Sequence, residues 1–345
     1  MKIIALKYAA TAFVFLFLFA SCNRGLKQLK KPDHAFLVGF YNVENLFDTI
    51  NDPAINDEEF LPESKVEWNS AKYVKKLDNI ARVIASMDSL DYPHFVGLAE
   101  IENKSVLEDL VEQARVKNLG YQIIHFSDND PRGIEVAALY RPAYFKPLSI
   151  KTLRPVINSK DNRFILYVKG VIAWGDTLHL FVNHWTSRYG GLETTQSARN
   201  GTAAFLRHTT DSIFAENAQA NIVIVGDFND NPNDDSMIKY LKTNALTDSY
   251  ASANLYNLSL DPFLKGDGTL FYKSWDFFDQ VIVSSALIDG AGLSAGPVRI
   301  VRHKWMLYQP AQGPARPNRT LSNGRYFGGF SDHLPVIVGL YKARN

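Results

Sequence analysis

The chain has 345 residues, of which 37 are Lys or Arg and 36 are Asp or Glu, so the formal net charge is +1. Hydrophobic residues make up 46% and charged residues 21%, which excludes a disordered, collagen-like or acidic-tail protein. A near-neutral chain exerts no overall attraction on nucleic acid, so a local patch has to bind any anionic substrate. The single cysteine, Cys22, excludes both a disulfide framework and a Cys-rich zinc site.

The N-terminus has the pattern of an export signal. Lys2 and Lys7 precede an apolar run at Tyr8–Ala20, which is shorter than the roughly 20 residues that a membrane-spanning helix needs. A basic start followed by a short apolar stretch and small residues is typical of a signal peptide. The alternative is a buried N-terminal helix.

Residues 19–22 (FASC) resemble a bacterial lipobox, in which the cysteine is lipidated and becomes the first mature residue. This resemblance implies a lipoprotein signal peptide at 1–21, lipidation of Cys22, a tether at 22–34 and a folded domain at 35–345. We therefore expect an exported protein, anchored by lipid to a bacterial membrane on its periplasmic or cell-surface face.

The remainder of the chain alternates between predicted strands and predicted helices. Short runs rich in β-branched and aromatic residues predict buried strands. These strands are Phe36–Val43, Phe95–Ile101, Val136–Tyr140, Phe164–Ala173, Leu178–Asn183, Ile222–Val225, Phe278–Ser284 and Pro335–Leu340. No Pro/Gly/Ser-rich linker divides the chain, which favours one domain with a layered α/β architecture.

Helical periodicity predicts long helices at Ser70–Met87 and Gln196–Glu216, and shorter helices at Asn103–Arg115 and Asp234–Leu241. The predicted buried face of the first long helix consists of Val74, Leu77, Ile80, Ala81, Ile84 and Met87. The predicted buried face of the second consists of Ala198, Thr202, Phe205, Leu206, Thr209 and Ile213.

Polar side chains collect at the ends of five predicted strands. The clusters are 41–45, 98–102, 181–185, 225–230 and 331–335. Ligand crevices in open α/β sheets form at strand ends. We therefore expect one site that contains Asn42, Glu100, His184, Asp227, Asn229, Asp332 and His333. Each cluster taken alone also fits a structural turn, a cap or a packed histidine.

The types of donor in these clusters indicate a hard cation and phosphate chemistry. Asn, Asp and Glu oxygens without Cys suit Mg²⁺, Mn²⁺ or Ca²⁺, which polarise phosphoryl oxygens and stabilise a leaving alkoxide. Asp227 and Asn229 share a face of an extended strand, so that the carboxylate can orient water while the amide donates to phosphate. His333 would act at the phosphate with a carboxylate behind it, for which Asp279 is the best candidate.

The order of these motifs resembles the endonuclease/exonuclease/phosphatase superfamily, which has the deoxyribonuclease I-like fold. The matching residues are Asn42-Val43-Glu44, Glu100, His184, Gly226-Asp227-Phe228-Asn229, Asp279 and Ser331-Asp332-His333. The resemblance covers Phe36–Tyr341 and implies a four-layer α/β sandwich with two mixed β-sheets face to face and helices outside. The stretches YNVENLFDT, NHWTSRYGG and FSDHLPV further resemble secreted or lipid-anchored bacterial members described as nucleases.

The resemblance implies hydrolysis of phosphate esters with a divalent cation, Mg²⁺ or Mn²⁺, with Ca²⁺ as a further candidate. By position it assigns Asn42, Glu100 and Asp332 to the metal shell, with Glu44 as a supporting carboxylate. It assigns Asp227 to the activation of water.

The remaining assignments from the resemblance concern the phosphate. Asn229 is expected to contact it, and His333 with Asp279 forms the proton-handling pair. His184 is expected near the scissile phosphate, and Arg163 resembles a basic residue that supports phosphate in some members.

A basic run at Gly290–Ser331 contains no Asp or Glu. It carries Arg299, Arg302, Lys304, Arg316, Arg319 and Arg325, interleaved with Trp305, Tyr308, Tyr326 and Phe327. Basic side chains with aromatic ones suit a polyanion whose bases can stack, whereas the alternative is a solvated loop whose aromatics pack in the core. The acidic loop Asp52–Glu67 is expected to be solvated surface, with a second cation such as Ca²⁺ as the alternative.

Three functions remain open from the sequence. A metal-dependent endonuclease, acting as a monomer on nucleic acid, agrees with the basic run and the branch resemblance. A phosphatase, or a phosphodiesterase of phospholipid or sphingomyelin, agrees with a lipid anchor. A non-catalytic binding lipoprotein of the same fold is disfavoured because no core position of the family pattern is missing.

The predicted lipid anchor can be tested at Cys22. Without its thiol, Cys22→Ser cannot accept a lipid, so the variant is expected to leave the membrane fraction and appear in the soluble fraction. Cell fractionation with immunoblotting measures the distribution. Unchanged membrane association would show that lipidation is not what tethers the chain.

Overall fold

Two seven-stranded mixed sheets form the centre of the part of the chain that the computed structural model describes, which is residues 29–128, 130–157 and 160–342. The strands are β1 (Phe36–Leu46), β2 (Phe95–Ile101), β3 (Gln122–His125), β4 (Glu135–Tyr140), β5 (Phe145–Leu153), β6 (Ile165–Ile172), β7 (Thr177–His184), β8 (Asn221–Asp227), β9 (Thr243–Asn244), β10 (Leu255–Asn257), β11 (Asp279–Ser284), β12 (Leu293–Ala295), β13 (Arg299–Ile300) and β14 (Val336–Lys342). The predicted signal peptide, the lipidation of Cys22 and the first part of the tether lie outside these residues.

Helices accompany the sheets at α1 (Ser70–Ile84), α2 (Lys104–Val111), α3 (Leu192–Glu216) and α4 (Leu260–Leu264), and a π-type helix spans Ser236–Leu241. Single 3₁₀ turns occur at Glu58–Phe60, Lys117–Leu119, Ser285–Leu287 and Lys304–Met306. Asn69 and Asn103 cap α1 and α2, because each side chain accepts a hydrogen bond from a backbone N–H in the first turn. No helix of the described residues is long and apolar enough to cross a membrane.

Each sheet is mixed, because its central strand has one parallel and one antiparallel neighbour. In the first sheet the order is β12-β14-β1-β2-β4-β3, with β13 beside β14, and β1 is parallel to β2 but antiparallel to β14. In the second the order is β9-β10-β11-β8-β7-β6-β5, and β8 is parallel to β7 but antiparallel to β11. The central strands β1 and β8 therefore each end beside a parallel neighbour.

Alternation of side chains along the strands creates three apolar cores. On β1, Val38 and Phe40 belong to the core between the sheets, whereas Leu37 and Tyr41 belong to the core that includes α1 and α2. A third core joins the outer face of the second sheet to α3. The order helix, sheet, sheet, helix confirms the four-layer α/β sandwich.

The predicted strands are all present, with boundaries that move by a few residues. The first continues to Leu46 rather than ending at Val43, and the strand predicted at Ile222–Val225 extends to Asp227. The polar residues after the apolar runs are thus part of the strands. The prediction missed β3, β5 and the short strands β9, β10, β12 and β13. In β5 the apolar Leu148 is exposed, so the strand lacks a buried apolar run.

The first long helix is shorter than predicted and differs in its buried face. It ends at Ile84 instead of Met87, and Val74 is 54% exposed rather than buried. The shorter predicted helix at Asn103–Arg115 forms only Lys104–Val111. The helix predicted at Asp234–Leu241 is the π-type helix Ser236–Leu241.

Helix α3 begins at Leu192, before the predicted Gln196, and its buried face is rotated from the predicted one. The buried residues are Arg199, Thr202, Ala203, Leu206, Thr210 and Phe214, whereas Ala198, Phe205, Thr209 and Ile213 are only partly covered. The physical reason is an ion pair. The fully buried Arg199 places its Nε 2.8 Å from Oδ1 of Asp230, and a pattern of apolar residues does not reveal a buried charge.

Candidate active site

The ends of the central strands bring polar side chains of both sheets together. Asn42 and Glu100 lie on adjacent parallel strands of the first sheet. In the second sheet Asp227 lies opposite His184 on β7 and opposite Asp279 on β11. Strand register therefore places these residues at one edge of each sheet.

The side chain of Asn42 joins the two sheets. Its Nδ2 donates to Oε1 of Glu100 at 3.2 Å and to Oδ2 of Asp227 at 3.0 Å. Its Oδ1 accepts from the backbone N–H of Glu44 at 3.0 Å. Asn42 is completely buried, and these bonds offset the cost of removing an amide from water.

Four residues around the site have left-handed backbone conformations without being glycine. They are Glu44, Asn45, Glu100 and Asn229, with φ of 54°, 53°, 66° and 51°. Such conformations cost about 1–3 kcal/mol each and persist where the surroundings determine them. Here the backbone N–H of Asn45 donates to Oε2 of Glu100 at 2.9 Å, so the strained turn helps to fix the carboxylate.

Asp227 is buried, and its carboxylate is held from two sides. Oδ2 accepts from Asn42, and Oδ1 accepts from the backbone N–H of Asn229 at 2.9 Å. Burial, together with the charge of Asp279, raises the pKa of Asp227 to about 6, although His333 opposes the rise. This carboxyl group can therefore exchange a proton close to neutral pH.

His333 and Asp279 form the pair expected from the sequence. Nδ1 of His333 lies 2.7 Å from Oδ2 of Asp279, and its Nε2 lies 3.8 Å from Oδ2 of Asp227. Burial alone would lower the pKa of His333, but the two carboxylates outweigh burial and hold this pKa well above its usual value. The two carboxylates therefore favour the protonated ring, and its Nε2 faces Asp227.

His184 lies at the same edge, but its surroundings disfavour a charged ring. Nη1 of Arg163 lies 3.1 Å from Nε2 and 3.3 Å from Nδ1 of His184. Burial, followed by the charge of Arg163, holds the pKa of His184 well below its usual value. Nε of Arg163 donates to Oδ2 of Asp130 at 2.7 Å, so this guanidinium positions the His184 ring.

Asn229 lies at the border between the site and an adjoining cleft. Its Nδ2 donates to the backbone carbonyl oxygen of Trp185 at 3.1 Å. An amide nitrogen carries two N–H groups, so the second can donate to a ligand that enters from the cleft.

Asp332 and Glu44 share an arginine that sequence reasoning did not assign to the site. Nη2 of Arg319 donates to Oδ2 of Asp332 at 2.8 Å, and its Nε donates to Oε1 of Glu44 at 3.2 Å. Glu44 also accepts from the backbone N–H groups of Thr320 and Leu321. The structure therefore places the Glu44 carboxylate against segment 319–321. Burial and the charge of Asp332 raise its pKa to about 7.

Residues 316–330 form a strap that crosses this side of the site. Lys76 on α1 is buried, and its Nζ donates to Oγ1 of Thr320 at 2.5 Å and to the carbonyl oxygen of Phe330 at 2.8 Å. Nδ2 of Asn79 donates to the carbonyl oxygen of Gly329 at 2.7 Å. Burial lowers the pKa of Lys76 to about 8, and Glu44 limits the fall. The strap is therefore held from both β1 and α1.

Sequence reasoning missed Lys76 and Asn79 and assigned Arg319 only to the basic run. The one indication for Lys76 is its position four residues before Ile80, at the border of the face of α1 predicted to be buried. A lysine on such a face needs a partner, but the partner lies 244 residues along the chain. Local patterns do not contain that information.

The basic run does not form one free basic surface. Arg299 pairs with Asp88, and Arg302 pairs with Asp267 at 2.6 Å. Arg316 instead lines the cleft beside Asn229. Cations that are close together in the sequence therefore lie apart in the structure. Acidic residues from other segments of the chain form ion pairs with Arg299, Arg302 and Arg319.

The acidic loop 52–67 does not gather a metal-binding cluster. Among the described residues, one set of three His, Cys, Asp or Glu has ligand atoms within 4.8 Å of one another, and that set is Asp227, Asp279 and His333. Asp57 is buried within the loop and accepts from the backbone N–H of Asp52 at 2.7 Å. Within the described residues the loop contains no such set of three, so the structure gives no support for a second cation there.

The charges of the site suit a bound cation. Glu100 and Asp227 both accept from the Asn42 amide, Asp227 and Asp279 lie 3.8 and 2.7 Å from the His333 ring, and Asp332 follows at the wall of the adjoining cleft. Carboxylate and amide oxygens are the donors that hard divalent ions prefer. The residues present therefore fit such an ion.

A model of the Endonuclease/Exonuclease/phosphatase family matches residues 37–342. The chain belongs to this family and is a phosphoester hydrolase by that membership. Enzymes of the family generally depend on a divalent metal ion. No curated protein matches the chain.

Solved structures share the fold at low sequence identity. A mannosyl-6-phosphatase of Bacteroides thetaiotaomicron is 15% identical, with a TM-score of 0.55, over 89% of this chain and 99% of that one. TDP2 of D. rerio, complexed with a single-strand DNA product, is 16% identical, with a TM-score of 0.54, over 89% and 99%. The human Nocturnin catalytic domain is 15% identical, with a TM-score of 0.53, over 89% and 94%. At these identities the likeness establishes the fold.

The buried contacts of Lys76 generate a stability prediction. Lys76→Met keeps the aliphatic stem but removes the charged donor to Thr320 and Phe330, so the free energy of unfolding should fall by about 1.5–3 kcal/mol. Urea denaturation followed by circular dichroism measures the change. Lys75→Met is the matched control, since Lys75 is exposed on the same helix. Equal stability of the two variants would contradict the strap contact.

Proposed function

We propose that the chain hydrolyses phosphate esters with a divalent cation and a water molecule oriented by Asp227. The observation that carries this proposal is the Asn42 amide, which ties Glu100 of one sheet to Asp227 of the other at hydrogen-bond distance. His333, paired with Asp279, completes the arrangement from a third direction. A negative pocket that contains one cationic donor suits a metal-assisted reaction at phosphorus.

Glu100, Asn42 and Asp332 would hold the cation, and Glu44 would support them through Arg319. The Mg²⁺ or Mn²⁺ ion, when bound, polarises a phosphoryl oxygen and stabilises the leaving alkoxide. Asp227, Asp279 and His333 lie close enough to share an ion, but Nδ1 of His333 is already bonded to Asp279. We therefore assign these three residues to proton transfer and phosphate binding.

Asp227 would orient the attacking water and accept its proton. The water oxygen forms the new bond to phosphorus while the ester P–O bond breaks, and the leaving alkoxide takes up a proton to give the alcohol. A carboxyl group with a pKa of about 6 is mostly ionised at neutral pH and can act as the base. The free N–H of Asn229 would donate to a phosphate oxygen.

His333 would bind a phosphoryl oxygen through its Nε2–H. Its positive charge is held by Asp279 and Asp227, so the donor is present before the substrate arrives. Preorganised donors of this kind stabilise the charge that develops in the transition state. His184, kept neutral and fixed by Arg163, would line the opposite side of the phosphate.

Within this reaction class, endonuclease activity remains our prediction from the sequence, and phosphatase or lipid phosphodiesterase activity remains the alternative. The support from the basic run is reduced, because acidic residues pair with three of its arginines. A panel of plasmid DNA, RNA, sphingomyelin and inositol phosphates, assayed with Mg²⁺, separates these activities. Nicking that falls steeply with added salt would identify a nuclease.

Substitution of the proposed base or donor should slow hydrolysis strongly. Asp227→Asn and His333→Ala are each expected to lower kcat at least about 100-fold, because each residue acts on the transition state. Asp235→Asn and His208→Ala provide controls of the same residue types outside the site. Steady-state kinetics, with circular dichroism as a check on folding, measures the effect. Near-parental rates in the site variants would overturn the assignment.

Removal of metal should also stop the reaction. Excess chelator is expected to abolish turnover, and Mg²⁺ or Mn²⁺ added beyond the chelator should restore it. Titration calorimetry with Mn²⁺ offers a second measurement, in which Glu100→Gln should bind the ion more weakly than the parent chain. Full activity in excess chelator would be incompatible with the proposal.

A further inference from the structure

A cleft of about 920 Å³ opens beside the candidate active site. Asn229 and Asp332 lie on its wall, and the other lining residues come from the hairpin 270–276, the strap and the loop 187–189, together with Phe278 and Tyr308. The proposed reaction involves only the edge of this cleft. Its volume is within the range of pockets that enclose small organic ligands.

The cleft is lined by aromatic rings that remain open to solvent. Tyr189 is 93%, Tyr272 is 78% and Phe327 is 56% exposed, and Tyr308 is also exposed. Large apolar side chains that stay uncovered together on a soluble protein mark a place where something binds. Aromatic faces stack on the rings of ligands.

Hydrogen bonds connect the hairpin that carries Tyr272 to segments that contain candidate catalytic residues. Oγ1 of Thr269, at the base of the hairpin, accepts from the backbone N–H of Asp279 at 3.1 Å. The carbonyl oxygen of Thr269 accepts from the N–H of Leu334 at 2.8 Å. The hairpin that bears Tyr272 is thus fixed next to His333, and a ring stacked there would extend from a phosphate at the site.

Two of the three arginines that line the cleft are paired with carboxylates. Lys273 lies at its margin, 5.7 Å from the centroid of the Tyr272 ring. Arg188 is paired with Asp230 at 2.9 Å and with Asp234 at 2.5 Å. Arg319 is paired with Glu44 and Asp332. Arg316 lies over the ring of Tyr308, 5.5 Å from its centroid, with no carboxylate partner among the described residues. A polynucleotide site needs several Lys or Arg side chains free for phosphates.

We infer that this cleft binds the alcohol part of the substrate, and that the preferred substrates are compact phosphate esters whose alcohol carries a ring. A sugar ring and a nucleobase each present a ring face that can stack on Tyr272 or Phe327. This inference rests on the proposed hydrolysis of phosphate esters, and within it favours the phosphatase alternative over the endonuclease predicted from the sequence.

The test compares three phosphate monoesters at saturating Mg²⁺: glycerol 3-phosphate, which has no ring, glucose 6-phosphate and adenosine 5′-monophosphate. The parent chain should show a kcat/KM at least about tenfold higher for one of the ring-bearing esters than for glycerol 3-phosphate. Tyr272→Ala and Phe327→Ala should each lower that ratio about tenfold, since the stacking of one ring contributes roughly 5- to 160-fold. Tyr240→Ala, an exposed aromatic outside the cleft, should leave the ratio unchanged.

The outcomes separate the cleft from the reaction itself. A higher kcat/KM for glucose 6-phosphate would identify a sugar as the ring-bearing alcohol. A higher kcat/KM for adenosine 5′-monophosphate would identify a nucleoside. Equal kcat/KM values for all three esters would overturn the inference and leave the proposed function standing. A higher kcat/KM for a 20-nucleotide single-stranded DNA than for any of the monoesters would overturn it as well.

A binding measurement tests the cleft even if none of these monoesters is hydrolysed, an outcome that would exclude phosphatase activity and leave hydrolysis of phosphodiesters as the proposed function. Titration calorimetry with phenylphosphonate and with methylphosphonate, neither of which has a phosphate ester bond to cleave, compares a ring with no ring. The parent chain should bind phenylphosphonate about tenfold more tightly, and Tyr272→Ala should remove the difference. Equal affinities in the parent chain would refute the cleft assignment.

Discussion

The buried amide of Asn42 is the interaction on which the candidate site depends. Two sheets that pack through apolar side chains have no reason to align the polar ends of β1 and β8, but one amide nitrogen bonds to a carboxylate from each sheet. These bonds set the spacing of Glu100 and Asp227. Because the second oxygen of each carboxylate accepts a backbone N–H, neither carboxylate can turn away without leaving a buried donor unpaired.

The strap is the second structural constraint, and it connects the site to the helical layer. Glu44 of β1 and Lys76 of α1 have opposite charges, and both bind residues 319–330. Each is costly to bury alone. Together they hold Arg319 against Asp332, so the carboxylate expected at the metal has a cationic partner close by. Glu44 thus supports the site from a distance.

Much of the fold was predictable because buried strands have an unambiguous sequence pattern. The apolar runs that end in Asn42, Glu100 and Asp227 predicted both the strands and the edge at which they meet. What the sequence could not show were long-range partners. The bond between Lys76 and Thr320, the rotation of α3 around Arg199 and the pairing of Arg302 with Asp267 each depend on residues far apart along the chain.

The left-handed backbone at positions 44, 45, 100 and 229 has a consequence for engineering this chain. At three of these positions a side chain is in use, so replacement by glycine would relieve the backbone and lose a chemical group. Asn45 contributes its backbone N–H to Glu100, which glycine also possesses. Glycine at positions 44, 100 or 229 would therefore raise stability at the expense of a group in the site. At position 45, glycine would relieve the backbone without removing a group that the reaction needs.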